Sequence, residues 1–150
     1  MPPASTMSET GTDVLFGSGK VAMISQGSWM VSAFKDNDYI KEHCDVARLP
    51  KDAETGESVS LYNGLGWAAS ANTDMPDEAF QLIEWFGSKD MQKKQADLGV
   101  TMAAYEGMSD GWVNSVDCFN LQPYMDAMDN IVFRPHTNAT LAWWNPMCED

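Results

Sequence analysis

The run from Pro76 to Gly99 constrains this chain more than any other stretch, because every break in it falls where two consecutive helices need one. Pro76 suits the first turn of a helix, where its missing N–H would have no partner anyway. Ala79, Leu82, Ile83 and Phe86 then recur at i, i+3, i+4 and i+7, which puts them on one face and predicts that this face is core. Trp85 neighbours that face and reads as packing or as partly covered surface. Gly87 stops the first helix, Ser88 caps the second and Gly99 ends it, since glycine takes the left-handed conformation that closes helices.

Short elements alternate around this pair. A helix is predicted from Thr6 to Phe16, ended by Gly17 or Gly19. Val21-Ala22-Met23-Ile24 reads as a buried strand, and Ser28 as the N-cap of a helix from Trp29 to about Phe34. Asp36-Asn37-Asp38 breaks that helix and caps a further turn through Tyr39 and Ile40. Asp45 to Pro50 reads as a second strand, Lys51 to Ser58 as a polar loop, and Leu61 to Ser70 as a strand whose glycines let it approach something closely. Met102 to Gly107 is a connector. A helix follows from Asn120 to Met128, with Leu121, Tyr124, Met125 and Met128 on one face. Pro135, Asn138 and Thr140 then mark a loop before Leu141-Ala142-Trp143-Trp144. Helix, strand and helix in alternation predict an α/β architecture.

Charge narrows the partners. Nine Lys and Arg stand against 22 Asp and Glu, a net charge of −13 that repels nucleic-acid phosphates and anionic lipid headgroups. No apolar run approaches the ~18 residues of a transmembrane helix. Met1 to Thr6 has neither the basic nor the apolar region of a signal peptide. Cys44, Cys118 and Cys148 are an odd number, with no C-x-x-C pair, and His43 and His136 lie far apart. Buried or incidental thiols with at most one disulfide are therefore expected, and no metal site.

Catalytic signatures are missing. There is no G-x-S-x-G, phosphate loop or H-E-x-x-H. Gly64-Leu65-Gly66 has Ala69 where a dinucleotide-binding turn needs its third glycine, and Asp36-Asn37-Asp38 lacks the later glycine and glutamate of a calcium loop. Tryptophan is the more informative residue. Trp29 follows a Gly-Ser break at a strand-to-helix junction, the kind of place where open α/β sheets bind ligands. An indole there can stack on the C–H face of a sugar, and covering about 50 Å² of apolar surface contributes ~1 kcal/mol. The other reading of Trp29 is plain core packing.

Phe16-Gly17-Ser18-Gly19-Lys20-Val21-Ala22-Met23, followed by Gly27-Ser28-Trp29 and Phe34, strongly resembles the family 1 extracellular solute-binding proteins of sugar ABC importers. Asp45-Val46-Ala47 to Leu49-Pro50-Lys51, Gly64 to Ala71, Pro76 to Phe86, and Ser88-Lys89 to Gln92 follow the same family's order, so the resemblance covers residues 10 to 104. It implies part of a two-lobed, periplasmic-binding-protein-like α/β fold of type II, with residues 1–43 and 103–150 from one lobe and 44–102 from the other. Gly99 to Met102 lies where the chain would recross between lobes. Family members are longer, so the resemblance also implies a C-terminal portion, with any signal segment or lipid anchor upstream and an extracytoplasmic location.

The implied function is capture of a carbohydrate between lobes by hinge closure, by a monomer that delivers it to membrane permease subunits, without cofactor or catalysis. Trp29, beside Ser28, resembles the aromatic that stacks on the sugar. Asn63, Gly64 and Leu65 match the strand start that borders the cleft from the opposite side. Trp143 and Trp144 match a late aromatic position, and Arg134 is placed to hydrogen-bond hydroxyls. Two alternatives remain open: an extracellular glycoside hydrolase using two of the acids, and a carbohydrate-binding module with no transporter.

Overall fold

A computed structural model describes residues 10–140 and 142–143. Its first helix, α1, spans Thr12–Gly17 and buries Leu15. Gly19 sits at φ +71° and closes α1 with two bonds: its own N–H donates to the Phe16 carbonyl, and the Lys20 N–H donates to that of Leu15. Only glycine holds that φ without strain, so the predicted stop is realised. The predicted residues Thr6 to Glu9 lie outside the described ones.

A 3-10 turn over Ser28–Met30 runs into α2, Val31–Phe34. Ser28 is the first residue of that turn and not its cap: Gly27 holds the cap position, with no side-chain bond. Gly27 is extended there, and the Trp29 ring lies over its α-carbon, where any side chain would collide. Helix α3, Asp38–His43, is capped as expected by Asn37, whose Oδ1 accepts from the Ile40 N–H at 3.0 Å.

Strand β1, Ser60–Tyr62, pairs in parallel with β2, Ile131–Phe133, in the register Ser60 to Ile131 through Tyr62 to Phe133. Among the described residues these are the only strands. The expected strands at Val21–Ile24 and Asp45–Pro50 do not form, and the one predicted from Leu61 keeps only its start. Strandedness needs a ladder partner, and among the described residues neither run is hydrogen-bonded into a ladder. Asp45 instead bridges with its side chain: Oδ1 accepts from the N–H groups of Val46 and Asn120, both at 2.8 Å.

The long crossover from β1 to β2 carries the remaining helices. Helices α4, Pro76–Gly87, and α5, Lys89–Asp97, match the predicted pair. The Ser88 side chain caps α5 through the Met91 N–H, and Gly99, again at φ +71°, ends it with the same two-bond closure as α1. The face of α4 predicted to be core is not buried, however. Leu82 is 53% and Trp85 52% exposed, and Phe86 is covered chiefly by Trp67, its ring stacked at 4.3 Å. The period identified a stripe that favours cover, but among the described residues little beyond α5 and Trp67 lies against it.

The core lies elsewhere. Val31, Ile40, Ala96, Trp112, Phe119 and Leu121 form one buried cluster around helix α6, Asp110–Val113. Trp112 has no exposed surface, and Tyr124 meets it edge-on at 5.7 Å. Tyr124 belongs to α7, Gln122–Asp126, which a 3-10 turn over Ala127–Asp129 extends. The predicted face of this helix is half realised: Leu121 is buried and Tyr124 half-buried, whereas Met128 reaches solvent.

Candidate functional site

The core cluster and the β1 end of the fold leave a cavity of about 350 Å³ between them. Its apolar wall is the outer side of the core: Phe16 from α1, Val31 and Phe34 from α2, Ile40 from α3, and Phe119. Phe16 and Phe34 meet with ring centroids 5.7 Å apart, which braces that wall. Trp29 stands at the edge, 59% exposed, held against Gly27 by the turn that places it. The core alternative for this residue is therefore not what the structure adopts.

Polar groups reach the same cavity from four separate segments: Gln26, Asp45 with Arg48, Asn63 and Tyr124. The Tyr124 hydroxyl donates to the Gln26 carbonyl at 3.5 Å, tying α7 to the approach to Trp29. Burial pushes the Tyr124 phenol above its usual range, so this hydroxyl keeps its proton at neutral pH. Asp45 has one oxygen held by two backbone N–H groups, which fixes the carboxylate and joins residues 45 and 120 across the wall. Asn63 follows β1 directly, so the short parallel ladder sets its position.

Of the residues singled out from the sequence, Trp29 and Asn63 line the cavity together. Ser28 is half-buried in the turn beside it, with Gly27 making the lining contact. Gly64 and Leu65 leave the wall, and Leu65 is 88% exposed, because the chain after Tyr62 has no ladder to hold it. Arg134, just after β2, is half-buried off the lining. Trp143 is also half-buried off the lining, with its indole N–H donating to Thr137 Oγ1 at 3.1 Å. Trp144 and Cys148 lie outside the described residues.

Gln26, Asp45, Arg48 and Tyr124 were not singled out, although one signal was available. Arg48 is one of two arginines in a strongly acidic chain. Cys44 and Cys118 are free thiols, both half-buried against the core, and Cys44 also lines the cavity. Among the described residues no group of three or more His, Cys, Asp or Glu is placed to hold a metal ion. No described helix is long and apolar enough to cross a membrane.

An apolar cavity with an exposed aromatic edge and a few fixed polar groups has the form of a small-solute binding site. The family comparison agrees. A family model for bacterial extracellular solute-binding proteins matches residues 3–114, and the chain belongs to that family. Membership makes it an extracellular solute-binding component of an ABC transporter with a periplasmic-binding-protein-like fold. No curated protein and no solved structure matches the chain.

Proposed function

We propose that the protein captures a carbohydrate beside Trp29 and hands it to the membrane permease of its importer. The observation that carries this reading is what Trp29 shares its cavity with. One exposed tryptophan lines the same cavity as Gln26, Asn63, Asp45 and Arg48. A sugar ring calls for both kinds of group, apolar cover for its C–H face and planar polar groups for its hydroxyls. Among the described residues Asp45 is the one carboxylate on the lining, which favours capture over cleavage, because glycoside hydrolysis ordinarily takes a pair of acids.

The proposal includes two lobes, residues 1–43 with 103–150 and residues 44–102. On that division Trp29 and Tyr124 belong to one wall of the cavity and Asp45, Arg48 and Asn63 to the other. A solute stabilises the closed arrangement because only there do both walls touch it; equal affinity for open and closed forms would shift nothing. The closed monomer is what the permease would recognise.

Tryptophan fluorescence during titration with neutral and acidic mono- and oligosaccharides tests the reading, with Trp29→Ala as the control. A saturable change that Trp29→Ala removes supports it. If no saccharide moves either the fluorescence or the melting temperature, the carbohydrate reading falls and other small polar solutes take its place.

A further inference from the structure

We propose that Arg48 selects for a carboxylate on the solute, so that the preferred ligands are acidic saccharides: uronates and their oligomers. This rests on the saccharide reading above and adds a substrate class to it.

Arg48 is the single cation among the described residues that line the cavity. The chain carries 22 carboxylate side chains against nine Lys and Arg, so a basic side chain has many anions to meet. Lys41 and Lys93 each meet one, at 2.9 Å from Asp38 and 2.6 Å from Asp97. Arg48, like Lys20, Lys35, Lys51, Lys89 and Lys94, has no ion pair among the described residues, and of these Arg48 alone lines the cavity. Its neighbour on the lining, Asp45, forms no ion pair with it, and one Asp45 oxygen is already held by the N–H groups of Val46 and Asn120.

The chemistry of that group narrows the ligand. A guanidinium presents a planar fork of donors with a fixed positive charge, and it matches a carboxylate through two parallel bonds. A neutral hydroxyl accepts one weaker bond from the same fork. A pyranose uronate carries its carboxylate on the ring's outer carbon, so stacking on an aromatic face leaves that group at the ring's edge. Trp29 provides such a face and Arg48 such a partner on the lining of one cavity. The net charge of −13 does not oppose this at close range, because at physiological ionic strength charges more than about 8 Å away are largely screened.

The test is isothermal titration of the protein with matched pairs, glucose against glucuronate, galactose against galacturonate, and their trimers, at neutral pH. Charge-assisted pairing predicts that the acid of a matched pair binds about tenfold tighter or better. Arg48→Gln is expected to erase that preference, costing the acids about tenfold more affinity than their neutral partners, and Arg48→Lys to keep part of the preference by charge alone. If Arg48→Gln folds poorly, Arg48→Lys carries the test, and an acid preference that it leaves fully intact, in size and in which acid is preferred, would overturn a role for the guanidinium fork. Neutral sugars binding as tightly as their acids, or tighter, would overturn the role of Arg48 and leave the saccharide reading standing. No binding of either kind would remove the saccharide reading and this proposal with it.

Discussion

Gly27→Ala separates a binding role of Trp29 from a structural one. A Cβ at residue 27 would overlap three atoms of the Trp29 six-membered ring, Cζ3, Cη2 and Cε3. The backbone itself tolerates alanine, because φ is −87° and ψ 166°, ordinary extended values. The strain must therefore be relieved by rotating the indole, which is 59% exposed and has room to move. An off-rotamer side chain costs about 0.5–1.5 kcal/mol. Replacing glycine at a compatible position restores about 0.4–1 kcal/mol through the unfolded chain. The two nearly cancel, so the melting temperature should stay within about 4 °C of wild type. Affinity should not stay constant. If the displaced indole no longer covers about 50 Å² of solute, the loss is ~1.2 kcal/mol, or about eightfold in Kd. Thermal melting and saccharide titration on the same preparation measure both. Unchanged affinity would refute the argument that the ring in contact with Gly27 is the binding surface, and a large drop in melting temperature would show that the ring is structural.

Two further predictions follow from the core and from the pH behaviour of one of its members. Trp112→Ala, which empties a position with no exposed surface, should cost about 3–5 kcal/mol in urea unfolding, with Trp112→Phe costing clearly less. Tyr124, whose phenol burial pushes up, should ionise above the ordinary phenol range, seen as the ultraviolet absorbance step that Tyr124→Phe removes. Its contribution to stability is complete below the ordinary phenol value of about 10 and is lost as pH rises through the higher folded value. Tyr124→Phe should flatten that alkaline fall in stability, and an unchanged alkaline profile would contradict it.

What was legible in the sequence was local. Gly19 and Gly99 end helices, and Asn37 and Ser88 cap them, because each of these jobs is done by a residue within a few positions of the element it serves. Strands were misplaced because pairing is decided by distant segments. Val21–Ile24 has the composition of a strand without a described partner, whereas Ile131–Phe133 becomes one by lying beside Ser60–Tyr62. The α4 stripe shows the same limit, since periodicity marks which residues share a face and says nothing about what covers it. At the cavity, Trp29 was legible from its Gly-Ser break and the family resemblance, and Asn63 from the resemblance alone. Tyr124 and Gln26 were not, because nothing local links residues 98 apart in the chain.

That separation orders events in time. The helix pair α4–α5 joins neighbours in sequence and can form as soon as residues 76–99 exist. The cavity has no such independence. Its lining is held together by bonds that span 75 residues, from Asp45 to Asn120, and 98 residues, from Gln26 to Tyr124. Closing loops of that length is entropically costly and comes late. A chain growing from its N-terminus holds Trp29 and Asn63 long before it holds Phe119 and Tyr124, which complete the lining. Competence to bind solute is therefore acquired near the end of folding, and a bound solute certifies a chain whose distant segments have already met.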